Sequence, residues 1–148
     1  FTPIDDQLIP TGVIQKVVNT PFDFLLPTQI GSRIDALDDQ LTYGHGYDHN
    51  YVLNPSDAIV SFAARVVEPV SKRTLEVYTN EPGMQFYGGN FLDGTVRGKR
   101  DKSYEYRGAF CLETQHFPDS PNKIQFPSTS LEAEEPYYSI CIYKFGLL

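Results

Sequence analysis

No apolar run in this chain of 148 residues approaches the length of a membrane-spanning helix, which needs ~18 such residues. Cations are also scarce: 12 Lys and Arg stand against 19 Asp and Glu, giving a formal net charge of −7 and a pI near 4.8. Phosphate binding draws on clustered Lys and Arg, so this balance argues against a nucleic-acid partner. The one basic cluster, RGKR at Arg97 to Arg100, has Asp93, Asp101 and Glu105 close by and reads as a solvated loop. Cysteine is limited to Cys111 and Cys141. Both lie in apolar stretches, where free cysteine commonly behaves as a small hydrophobe, so two buried thiols are expected in preference to a disulfide. The start, FTPIDDQ, has neither an initiator Met nor a signal-peptide pattern and reads like the middle of a protein. Any targeting segment would precede Phe1, which leaves the compartment open. There is no Gly-rich phosphate loop, nucleophile elbow or zinc-helix motif, and no internal repeat or low-complexity tract.

What is present is mostly strand-like. A chain of this size fits one domain and can bury roughly 70% of its unfolded surface. Tyr137 to Phe145 (YYSICIYKF), Ile59 to Val67, Thr74 to Thr79 and Met84 to Tyr87 are rich in β-branched and aromatic residues. Helical periodicity is limited to Gly31 to Gln40, where Ile30, Ile34, Leu37 and Leu41 recur at spacings of three and four and predict one short helix. The 11 Gly and 11 Pro punctuate the rest, as a many-stranded antiparallel sheet requires. An all-β architecture, a β-sandwich or part of one, follows. Within VYTNEPGMQFYGGN, Pro82 and Gly83 suit the two central positions of a type II turn and predict a hairpin whose flanks pair. Alternation on the outgoing strand sets Met84 and Phe86 on one face, Gln85 and Tyr87 on the other.

Three polar positions interrupt these apolar segments. Glu113 closes the run Ala109 to Leu112 in AFCLETQHFPD, where a carboxylate is costly to desolvate unless paired or hydrogen-bonded, so a partner is expected near it. Gln85 offers a donor and an acceptor from a stiff strand beside aromatics, an arrangement suited to a ligand hydroxyl and equally to open solvent. Asp48, in GHGYDHNYVL, follows two glycines at the mouth of a strand beginning near Tyr51 and reads as a turn or capping residue as readily as a ligand group. His45 and His49 stand four apart on a Gly-broken loop with no third ligand assigned by spacing, which is a poor basis for a metal site. Carboxylates and an amide among many Tyr and Phe match the makeup of carbohydrate sites, although β-sandwich cores use the same aromatics.

In order along the chain, DDQLIPTG at 5 to 12, GYDHNYVL at 46 to 53, LEVYTNEPGMQFYGGNFLDG at 75 to 94 and FCLETQHFPDSPN at 110 to 122 closely resemble the aldose 1-epimerases, or galactose mutarotases. The resemblance runs from near the first residue to the strand YKF and is confined to the C-terminal portion of a family chain more than twice this long. It implies that residues 1–148 are that portion of a single large antiparallel β-sandwich domain, with the N-terminal portion absent. It also implies that Glu113, in CLETQ, is the catalytic base, and that Asp48, in DHN, and Gln85, in PGMQFY, bind sugar hydroxyls. The expected activity is interconversion of α and β anomers of hexoses such as galactose or glucose by ring opening and reclosure, with no metal or organic cofactor. The family's acid histidine belongs upstream of Phe1, and His45, His49 and His116 do not match it, so the isolated chain is expected to be inactive or weak. A sandwich cut in this way leaves apolar faces uncovered, and the missing portion, a self-dimer or a swapped strand would be its partners besides the sugar. A non-catalytic carbohydrate-binding module would keep Asp48, Gln85 and the aromatics without needing Glu113. A glycosidase would need Asp48 and Glu113 near ~5–5.5 Å or ~6.5–9.5 Å apart. A hexose-phosphate mutarotase would call for Arg beside these motifs.

Overall fold

A computed structural model describes all of residues 1–148. Six strands carry the architecture: β1 (Asp48–Val52), β2 (Ser61–Val67), β3 (Arg73–Thr79), β4 (Gly83–Tyr87), β5 (Cys111–Gln115) and β6 (Cys141–Leu147). They form two three-stranded antiparallel sheets, ordered β1-β4-β5 and β2-β3-β6. The chain is all-β, as its composition predicts, and no helix is long and apolar enough to cross a membrane.

Alternation sets the core. On β4, Met84 and Phe86 are buried while Gln85 and Tyr87 are only partly so. Phe86 stacks on Tyr47 at 5.3 Å between ring centroids and meets Phe24 edge-on at 6.0 Å. Each such ring taken out of water contributes roughly 1.5–3 kcal/mol. Val77 of the second sheet joins Met84, Phe86 and Leu112 of the first in one cluster with Phe1, Phe22, Ile34, Leu41 and Tyr47, and this shared core holds the two sheets together. The coverage is one-sided. Every residue of β6 is exposed, with Phe145 79% and Leu147 74% accessible.

Four local expectations are corrected. The helix over Gly31 to Gln40 does not form; Ile30–Ser32 makes a 3-10 turn and the only α-helix, α1, is Asp39–Tyr43. Asp38 starts it, its carboxylate accepting from the backbone N–H of Gln40 and Leu41, as an N-cap does. Leu37, which the periodicity places on the buried stripe, is fully exposed. The hairpin across Pro82 and Gly83 is also absent: β3 pairs with β2 and β6, β4 with β1 and β5, so the connection is a corner between sheets. Pro82 already belongs to the first sheet, its carbonyl accepting from Leu53 N–H at 2.9 Å. Asn80 turns to the chain before β6, bonding Tyr138 O and Ile140 N. Gly83 does not adopt positive φ. It is needed for space, because a Cβ there would lie 2.5 Å from Asn50 Oδ1 and 2.9 Å from the Phe117 ring.

Third, β1 begins at Asp48 and not near Tyr51. The turning is done earlier, at His45 and Gly46, both with positive φ. Fourth, both thiols are free and exposed. Cys111 lies on an edge strand and Cys141 opens the uncovered β6, so an apolar sequence neighbourhood does not translate into burial.

Candidate functional site

The three residues singled out by the sequence meet on one face of the first sheet. Residues directly opposite in an antiparallel pair share a face. Gln85 on the central strand β4 stands opposite Asn50 of β1 and opposite Glu113 of β5. Tyr87, two residues on, stands opposite Asp48 and Cys111. Gln85 Nε2 donates to Asp48 Oδ1 at 2.8 Å, which fixes both side chains. Asp48 is thus a strand residue engaged across the sheet, and the capping role does not apply.

The electrostatics of the two carboxylates differ. Partial burial pushes the Asp48 carboxyl above its ordinary value, and the Gln85 hydrogen bond only partly offsets this. Glu113 is exposed and receives no hydrogen bond, contrary to the expectation of a nearby partner. The reason is its position: β5 is an edge strand, and its polar face is open to water. The free carboxylate is therefore available to a solute. One residue earlier, Tyr143 O–H donates to the outward carbonyl of Leu112 at 2.6 Å, tying β5 to β6 beside Glu113. Burial, then Cys141 and the Glu113 charge, push the Tyr143 phenol up to about 12.

Aromatic surface borders this face. Tyr87 and Phe91 stack nearly parallel, 13° apart with centroids at 6.2 Å, and Phe91 N–H donates to the Tyr87 hydroxyl. Phe91 is half exposed, a flat apolar patch of the kind that covers a sugar ring. Exposed His45 meets Phe91 edge-on at 5.3 Å. His116 is turned away, its Nδ1 2.7 Å from buried Glu81 Oε2. Burial alone would raise the Glu81 pKa, but hydrogen bonds from Ser139, Tyr137 and His116 outweigh that and hold it low. His49 is fully buried on the far side of β1, its Nδ1 accepting from Asp48 N–H. A cavity of about 650 Å³ lined by Ile34, Gly88, Arg107 and Phe110 among others contains none of the three predicted site residues.

Asn50, Cys111 and Tyr143 were not picked out as site residues by the sequence, and Tyr87 only as the neighbour of Gln85 on the same face. Three of them carry a usable signal, since each lies two positions from a predicted site residue on the same strand and therefore shares its face. Tyr143 has no such signal, because its contact depends on how the two sheets meet.

The aldose 1-epimerase family model matches residues 1–144. Galactose mutarotase of Rattus norvegicus is 45% identical over 147 residues, covering 99% of this chain and 41% of that protein. Aldose 1-epimerase of Escherichia coli (strain K12) is 36% identical over 147 residues, covering 98% and 42%. Among solved structures, the GalM/aldose epimerase homologue from C. elegans superposes with a TM-score of 0.84 at 28% identity, covering all of this chain and 43% of that one. The chain therefore spans about two-fifths of the length of these relatives.

Proposed function

Because this chain belongs to the aldose 1-epimerase family, we propose that it carries the base and two hydroxyl-binding groups of a hexose mutarotase, acting on a sugar such as galactose or glucose. The observation that carries this reading is the convergence of Asp48, Gln85 and Glu113 on one sheet face, with Gln85 bonded to Asp48 and directly opposite Glu113. Asp48 and Gln85 hold ring hydroxyls, and the Tyr87 and Phe91 pair covers an apolar sugar face. The exposed Glu113 carboxylate takes the proton of the anomeric hydroxyl as the ring C–O bond breaks and an acid protonates the ring oxygen. Rotation about C1–C2 and reclosure with the proton roles reversed deliver the other anomer. A base held in this way typically supplies ~10²–10⁴-fold of the rate.

The acid is not among residues 1–148. His49 is buried, His116 is committed to Glu81, and His45, although exposed beside Phe91, does not match the family's acid position. Residues 1–148 act as the C-terminal portion of the family's single domain, and the apolar face of β6 is the surface that the remaining portion, or a second copy of the chain, covers. A binding module without catalysis is the alternative reading. Polarimetry on freshly dissolved α-D-galactose, run with the 148-residue chain and with the intact protein, tests both points. Rapid anomer exchange by the intact protein and little by the chain alone is the expected result. Full activity from the chain alone would overturn the assignment of the acid, and an inactive intact protein that still binds galactose would favour the binding module.

A further inference from the structure

Asn50 stands directly opposite Gln85 and is only 1% exposed, yet neither its Nδ2 nor its Oδ1 has a hydrogen-bond partner. Gln85 Oε1 is likewise buried and unpartnered, while the other end of the same amide, Nε2, is bonded to Asp48 at 2.8 Å. A buried amide left unpaired at both ends is uncommon, and here the unused donor and the unused acceptor belong to cross-strand neighbours. Asn50 is confined to this place: its Oδ1 occupies the room a side chain at Gly83 would fill, and the Phe117 ring closes that room from the other side.

We infer that Asn50 is a positioning residue that fixes the direction of the Gln85 amide, an inference that rests on the sugar-site reading of this face. It does so by a bond that runs directly from its Nδ2 to Gln85 Oε1, the two unpartnered atoms of cross-strand neighbours; a bridging water, which can donate to both amides, would fix no direction. Asp48, Gln85 and Asn50 then form a chain with one polarity. Turning the Gln85 amide over would set Oε1 against the acceptor-only Asp48 carboxylate, and would set Nε2 against the Asn50 donor unless that amide turned over as well. With the amide fixed, Asp48 keeps its second oxygen for a sugar hydroxyl and Gln85 keeps its place beside Glu113. Asn50 itself is buried and acts only through Gln85.

The test is a double-mutant cycle in the intact protein with D-galactose, reading kcat and KM by polarimetry. Gln85→Ala should raise KM by about tenfold, Asn50→Ala by about fivefold with kcat within about twofold, and the double variant no more than Gln85→Ala alone. Additive effects of the two single changes would overturn the inference while leaving the site reading intact. An unchanged KM in Gln85→Ala would overturn the site reading itself, and the inference with it. The isosteric Asn50→Asp covers the case in which the alanine variant does not fold. The titratable groups on this face are Asp48, Tyr87, Cys111 and Glu113, with His45 at its border beside Phe91 and Tyr143 beside Glu113, all present equally in the unsubstituted protein, and His49 points to the opposite face. Relative to that protein, Asn50→Asp should show a raised KM at about pH 8 that recovers towards about pH 5, where the new carboxyl is protonated and again offers a donor. A ratio that does not change with pH would overturn the inference. The unsubstituted protein offers a check without mutation: the Asn50 and Gln85 side-chain amide protons should show a direct mutual nuclear Overhauser contact, and its absence, or a contact relayed only through water, would also overturn it.

Discussion

His49 should make this fold sensitive to mild acid. Its ring is fully buried, 4.6 Å from Phe22 and 6.0 Å from Phe1 between centroids, both edge-on. Burial lowers the imidazole pKa from 6.5 to about 4. A base whose folded pKa lies below its unfolded value favours the native state above the unfolded pKa, and that stability is lost as pH falls through the folded one. The window therefore runs from 6.5 down to about 4. The size of that gap is worth about 3 kcal/mol, a large share of the ~5–15 kcal/mol that holds an ordinary domain. Urea denaturation followed by circular dichroism at about pH 7 and about pH 4, on the unsubstituted chain and on His49→Gln, isolates the effect. Glutamine keeps an acceptor for Asp48 N–H and cannot titrate. The unsubstituted chain should lose about 3 kcal/mol more than the variant on acidification. Parallel losses would refute the reasoning, because they would mean that His49 is solvated or charged in the native state.

Asp48→Asn should stabilise the chain at neutral pH and weaken galactose binding in the intact protein. Burial raises the Asp48 pKa above 3.8, so its contribution favours the fold below that value and becomes a penalty as pH rises through the folded pKa. Thermal unfolding at neutral pH and at about pH 3 checks this, with the gain expected only at the higher pH. Cys111 should be accessible to Ellman's reagent yet slow to react, since burial and then the charges of Glu113 and Asp48 raise its pKa. Glu113→Gln should speed that reaction by lowering the pKa, which stopped-flow absorbance would detect; an unchanged rate would separate the two side chains.

The sequence carried β2, β3 and β4 well because their signal is local, whereas β6 opens at Cys141, four residues after the Tyr137 at which its apolar run begins. Val77, Met84 and Phe86 alternate with less buried neighbours, so β3 and β4 are legible within a residue or two of their ends. The pairing of those strands was not legible. A Pro-Gly corner fits a hairpin equally well, and what sends β3 and β4 into different sheets is the long-range seating of Asn80 and Glu81 against Tyr137 to Ile140. Ile34 and Leu41 are buried as their spacing predicts, while Leu37 is not, because a capping aspartate restarts the chain between them. The polar face was read through motifs and then found on adjacent strands, where Gln85 links Asp48 to the strand carrying Glu113. The place of Asn50 on this face was legible from its spacing to Asp48, but its burial and its lack of partners were not, because they depend on how Gly83 and Phe117 pack against it.

Catalysis at this sheet face depends most on the Glu113 carboxylate acting as the base. Measuring kcat and KM for Glu113→Gln in the intact protein, with α-D-galactose followed by polarimetry, tests that directly. A fall in kcat of ~10²–10⁴-fold with KM nearly unchanged is the predicted result. A variant that turns over galactose at close to the unsubstituted rate would contradict it.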